Sequence, residues 1–243
     1  MEINDKKSDN LKAPGKQKTN LSSPFGTDKV TEKANFNEEK IRKQLKKIIP
    51  KEDYYLIDYI INDKEKFFPN SLTNEVGVFR YGGGKLLAII HGKKDGFSIS
   101  NYIIKIAVKD GMEVMSHNHI NGLIIPSEKD IATLPLLQSK YNPIYSPDKM
   151  GLLINNNVSL NKNNKELIFN KYAKFMRDKE LEIEKLYPEK ASYIRSNFSG
   201  EELKDKLKKD LYRSYFAKNQ ESSAKEINKM FKENNFELKL YIL

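Results

Sequence analysis

The sequence has no cysteine at all, and only three of its 243 residues are histidine. Without a thiol there can be no disulfide framework, no thiolate zinc or iron–sulfur centre and no cysteine nucleophile, so any transition metal must sit on His, Asp or Glu. Long apolar runs are missing too. Leu86 to Ile90 and Leu123 to Ile125 fall far short of the ~20 residues a bilayer requires, and Met1-Glu2-Ile3-Asn4-Asp5 is not the start of a secretory signal. The expectation is a chain that neither spans a membrane nor leaves the cytoplasm by a cleaved signal. Arginine is the third scarcity. Lys and Arg total 43 against 33 acidic residues, for a formal charge of +10, yet only Arg42, Arg80, Arg177, Arg195 and Arg213 are arginine. Guanine edges and phosphate forks are read mainly by arginine, so a lysine-dominated excess predicts nucleic-acid binding that is weak and non-specific at most.

Along the chain, residues 1–37 are polar and without period and read as a disordered arm. Residues 38–71 read as N-terminal helices. Ile41, Leu45, Ile48 and Ile49 share one face of the first, which Pro50 ends, and a second runs from Glu52 to about Phe67. Residues 72–158 change character. Glu75 to Tyr81, the turn Gly82-Gly83-Gly84 and Lys85 to His91 form a hairpin. A helix over Asn101 to Lys109 follows, capped by Ser98 or Ser100 and stopped by Gly111, and then a strand from Met112 to His117. Ser127 opens the next helix with Asp130 three positions on, and Ile144 to Ser146 and Gly151 to Ile154 close the section as a hairpin. Residues 159–243 read as an α-helical C-terminal region: about Asn164 to Leu186, Glu201 to Asn219 behind a Ser199-x-x-Glu202 capping box, and Ser222 to Asn234. Phe236 to Ile242 reads as a last strand.

Two of the three histidines lie one residue apart at the end of a strand. In extended chain, residues i and i+2 point the same way, so His117 and His119 can bring two imidazoles to one point. Asp130, in the first turn of the next helix, supplies a third ligand. His₂Asp with a fourth position left for water is the pattern of a catalytic rather than a structural zinc site. Other families with similar text are excluded by spacing. HNH nucleases spread those letters over a ββα unit, cupins need a Glu where Leu123 and Ile124 stand, and amidohydrolase barrels need histidines after His119. Read by themselves, Glu75 is a strand-end carboxylate, Ser127 a helix N-cap, and His91 a strand residue without a role.

The run from His117 to Asp130 has the form H-x-H-x7-S-x2-D, and it resembles the JAMM/MPN metallopeptidase family, whose signature is E…H-x-H-P-x6-S-x2-D. The text around it is most similar to the HNHPxG…PSxxD version in RadC-like proteins and in domains attached to phage head-morphogenesis proteins. The resemblance covers about residues 72–155 and departs at Ile120, where the family has proline. It implies an α/β fold with a mixed, partly curled sheet and flanking helices, here with N-terminal helices and a C-terminal α-helical appendage. It also implies His117, His119 and Asp130 as Zn2+ ligands, Glu75 as general base and Ser127 as the residue that steadies the oxyanion. The expected activity is zinc-dependent hydrolysis of a peptide or isopeptide bond in a protein substrate bound as an extended strand. The same resemblance admits a second expectation, an assembly protein of a tailed phage. In that case the domain is a vestigial or zinc-stabilised module, the arm and the C-terminal helices meet virion partners, and the protein resides in the bacterial host cytoplasm or the virion.

Overall fold

The computed structural model describes residues 36–67, 74–93, 96–119, 122–156 and 162–243. The expected arm lies outside the described residues except at its last two positions. These are ordered: Phe36 packs on the core, and Asn37 caps α1 (Glu38–Ile48) by accepting from the Lys40 amide at 2.9 Å. The apolar face expected of α1 is the buried one, with Ile41, Leu45 and Ile49 inside. A short turn of 3₁₀-helix, Lys51–Asp53, leads into α2 (Tyr55–Phe67), which buries Leu56, Ile57, Ile60, Ile61 and Phe67.

The hairpin follows as β1 (Val76–Tyr81) and β2 (Lys85–His91), and α3 (Asn101–Asp110) starts at Ser100 and stops at Gly111, whose φ is +74°. Next come β3 (Met112–Asn118), α4 (Glu128–Leu137), β4 (Tyr141–Tyr145) and β5 (Met150–Asn155). The fourth strand begins three residues before the expected one and contains Pro143. A residue without an N–H reads as punctuation rather than as mid-strand, which hides the first half of β4 from the local pattern.

The C-terminal region differs most from expectation. It holds α5 (Lys162–Leu186), α6 (Pro188–Asn197), α7 (Gly200–Lys206), a π-helical segment (Leu207–Tyr212), α8 (Arg213–Lys218), α9 (Gln220–Glu233) and β6 (Leu238–Ile242). It is not an appendage. β6 pairs antiparallel with β5, and Ile168, Tyr172, Ile227 and Phe231 share one core with Ile131 and Leu134 of α4. Ser199 precedes α7 but makes no side-chain capping bond, so the expected capping box is absent there.

The six strands form one mixed sheet in the order β2-β1-β3-β4-β5-β6 that does not close into a barrel, and only β3 and β4 run parallel. Alternation sorts the strands between two layers. Val78, Val114, Tyr145 and Leu152 pack under α1 and α2, while Phe79, Met115 and Leu153 pack under α3, α4 and the C-terminal helices. The result is a three-layer α/β/α arrangement in which α4 crosses over between the parallel strands. No helix among the described residues is long and apolar enough to cross a membrane.

Beneath α2 lies a buried ion pair. Asp63 is fully buried and takes a two-pronged contact from Arg80, with Nη2 at 2.6 Å and Nε at 3.0 Å, plus Lys66 Nζ at 2.9 Å and the Ser116 hydroxyl at 3.3 Å. Arg80 also donates to the Gly84 carbonyl and stacks on Tyr59. These bonds tie α2 to β1 and β3. Because removing one partner strands the other charge, Asp63→Ala is expected to lose about 3–5 kcal/mol in urea unfolding. A loss under about 1 kcal/mol, as for a surface pair, would contradict that account.

Candidate metal centre

The centre stands at the carboxyl end of β3, on the α4 side of the sheet. β1 and β3 pair antiparallel with Gly77 opposite His117. That pair is the last of the register: Glu75 stands just before β1 and His119 just after β3, at the same end of the two strands. The face is crowded. A Cβ on Gly77 would come within 2.6 Å of the Phe97 ring, so glycine there lets Phe97 lie over the strand in a T-shaped contact with the His117 imidazole, centroids 6.3 Å apart. His117 is 1% exposed and His119 6%.

Asp130 reaches the imidazoles because of how α4 begins. Ser127 is the N-cap: its hydroxyl accepts from the Asp130 amide at 3.3 Å, and its own amide donates to Asp130 Oδ2 at 2.6 Å, closing a capping box. The carboxylate so held presents Oδ1 at 3.1 Å from His117 Nε2 and Oδ2 at 3.2 Å from His119 Nε2, and the two Nε2 atoms are 3.1 Å apart. The loop ahead of α4 contributes as well. Ile124 lies with its carbonyl over Gly151 of β5, where a Cβ would stand only 2.1 Å from that oxygen. From this seat the preceding Leu123 carbonyl meets His119 Nδ1 at 3.0 Å.

Counting protons shows what the cluster calls for. The Leu123 carbonyl is an acceptor, so His119 carries its proton on Nδ1 and, when neutral, turns a lone pair on Nε2 toward the centre. That lone pair faces the Asp130 carboxylate, and two acceptors at 3.2 Å repel unless a proton or a cation stands between them. Burial alone would lower the His119 pKa, but the hydrogen bond and charge of Asp130, together with Glu75, raise it above its ordinary 6.5. Burial likewise acts to raise Asp130, yet the charge of His117 and the hydrogen bonds of both imidazoles hold it well below 3.8.

The donor set also fits a metal. The three ligand atoms lie within 4.8 Å of one another, the one such His/Asp/Glu group among the described residues. The Nε2–Nε2 separation of 3.1 Å is close to the ~3.3 Å edge of a tetrahedron with ~2.0 Å metal–ligand bonds, and each Nε2 has its own Asp130 oxygen at 3.1–3.2 Å. Imidazole nitrogens with one carboxylate oxygen suit zinc and its first-row neighbours.

Of the residues singled out in the sequence, His117, His119 and Asp130 converge. Ser127 is the N-cap, exposed and bonded to Asp130 rather than to an imidazole. Glu75 stands beside the cluster, half-buried, near enough for its charge to act on His119. Ile120 lies outside the described residues, and His91 is exposed at the end of β2. The Leu123 carbonyl and Phe97 went unread, since a carbonyl leaves no mark in the residue pattern and Phe97 arrives through a loop. No protein-family model, no curated protein and no solved structure matches this chain.

The pKa directions predict how stability follows pH. Asp130, depressed in the fold, stabilises above 3.8 and loses that contribution as pH falls through its folded value. His119, raised in the fold, stabilises below 6.5 and loses its contribution as pH climbs through its folded value. Metal-stripped protein should therefore be most resistant to heat between those limits. Added zinc, which needs neutral imidazoles, should raise the melting temperature increasingly between about pH 5.5 and pH 8. Melting curves with chelator and with zinc check this, and a zinc effect independent of pH would contradict it.

Proposed function

We propose that the chain is a zinc-dependent hydrolase of an amide bond, peptide or isopeptide, in a protein substrate, related to the JAMM/MPN metallopeptidases. The observation that carries this reading is the convergence of His117, His119 and Asp130, at the spacing of that family's signature, with Glu75 near enough for its charge to act on His119. Zinc held by those three side chains would bring the pKa of a bound water toward ~7 and polarise the substrate carbonyl. Glu75 takes a proton from the attacking water as the carbon–oxygen bond forms, and gives it to the leaving nitrogen as the carbon–nitrogen bond breaks. Ser127 accepts the Asp130 amide on its lone pair, which leaves its hydroxyl hydrogen to donate to the oxyanion. The capping box holds the carboxylate so that Asp130 does not swing away when substrate enters. At the sheet edge β2 leaves Leu86 and Ile89 exposed, and Gly92, just past its end, donates its amide to the Glu75 carbonyl. A substrate strand laid along β2 is thus led to the base.

A second reading, an ion that holds together an assembly protein, draws on the burial of both imidazoles. Paired substitutions separate the two. His119→Ala removes a ligand and should lower both zinc content and melting temperature. Glu75→Gln should keep its zinc and slow cleavage of a peptide library by roughly 10²–10⁴-fold. Equal cleavage by Glu75→Gln and the parent would remove Glu75 from the mechanism. A zinc-loaded parent that cleaves no amide would favour the structural ion.

A further inference from the structure

The residue between the two imidazoles points to the other side of β3. Asn118 is fully buried and pairs with Tyr145 of β4, but the pairing of β3 with β1 ends one residue earlier, at His117 and Gly77. Beyond that point the Asn118 side chain replaces the backbone. Its Oδ1 accepts from the Val76 amide at 2.6 Å, and its Nδ2 donates to the Asn74 carbonyl at 3.4 Å. Those two groups belong to the peptides on either side of the Glu75 α-carbon.

The same two peptides are held from their opposite edges. The Glu75 amide donates to the Lys93 carbonyl at 3.0 Å, and the Gly92 amide donates to the Glu75 carbonyl at 2.8 Å. With both edges of both peptides bonded, the dihedral angles of Glu75 are set and its side chain leaves the backbone in one direction. Only a carboxamide can grip the inner edges, because it sets a donor and an acceptor side by side; a carboxylate offers two acceptors and leucine neither.

We propose that Asn118 is a positioning residue for Glu75, fixing where that carboxylate stands beside the imidazoles while taking no part in holding the metal. The proposal rests on the reading of Glu75 as the base of a hydrolase. One tripeptide, His117-Asn118-His119, then aims two ligands to one side of β3 and anchors the base from the other.

The test uses the full chain loaded with cobalt(II) as parent, Asn118→Ala, Asn118→Asp, Glu75→Gln and the Asn118→Ala/Glu75→Gln pair. Asn118→Ala should bind the same amount of cobalt with the parent's visible spectrum, while its Val76 amide exchanges with solvent at least about tenfold faster. Its kcat for amide hydrolysis should fall about 10- to 100-fold, as for other residues that orient a site. The pair should be as slow as Glu75→Gln and no slower, since Asn118 acts only through that carboxylate. Asn118→Asp keeps the acceptor and loses the donor, so it should fall between Asn118→Ala and the parent; it carries the same comparisons if Asn118→Ala does not fold. A changed cobalt spectrum, or a pair slower than Glu75→Gln by the full Asn118 factor, would overturn the proposal. If the parent hydrolyses no peptide, the hydrolase reading fails but the positioning claim is still decided. The paramagnetic shift of the Glu75 carboxyl carbon must then differ between parent and Asn118→Ala, and an identical shift refutes it.

Discussion

The carboxylate of Asp130 accepts from the Ser127 amide while its two oxygens face the Nε2 atoms of His117 and His119. Closing the cap of α4 stabilises the helix by about 1 kcal/mol, and its positive N-terminal end favours the negative charge further. Setting a buried lone pair of His119 against a carboxylate costs more than a cap returns unless a cation or a shared proton stands between them. So the fold spends the start of α4 on holding one carboxylate in a place that is favourable only when the centre is filled. Ser127 does the same service one bond removed, and its expected roles as N-cap and as donor to the oxyanion are compatible because they use different parts of one hydroxyl.

The rest of the fold stands around that carboxylate. β3 runs through the middle of the sheet, and its two sides do different work: His117 faces the centre, while Ser116 and Asn118 face the α1–α2 layer, where Ser116 joins the Asp63–Arg80 pair. The parallel step from β3 through α4 to β4 puts a strand end and a helix start side by side, which is where α/β sheets commonly hold ligands. The C-terminal helices press α4 from outside, and Tyr172 of α5 donates to the Pro126 carbonyl just ahead of the Ser127 cap. The C-terminal region thereby helps to keep the helix that carries Asp130 in place.

Much of this was legible from local signals. The glycine turn of the first hairpin, the Ser127 cap, the Gly111 stop and the i, i+2 imidazoles are short-range features, and each stands where the pattern put it; of the two serines offered as caps for α3, Ser100 is the one that caps it. What stayed hidden depends on distance along the chain. β6 meets β5 across some eighty residues, so nothing near Leu238 marks it as the sixth strand of the same sheet, and the C-terminal helices consequently read as an appendage. Ser199 had the right neighbours for a capping box, yet its side chain makes no capping bond at the start of α7. Buried polar residues were hidden for the same reason: Asp63, Arg80 and Asn118 look like surface positions until their partners on other strands appear.

The central claim is that His117, His119 and Asp130 together hold a divalent metal. X-ray absorption at the zinc edge, on protein stripped by chelator and reloaded with one equivalent, tests it most directly. The account predicts a first shell of nitrogen and oxygen at about 2.0–2.1 Å, with the outer scattering of two imidazoles. Failure to take up zinc, or a shell of oxygen alone without imidazole, would contradict it.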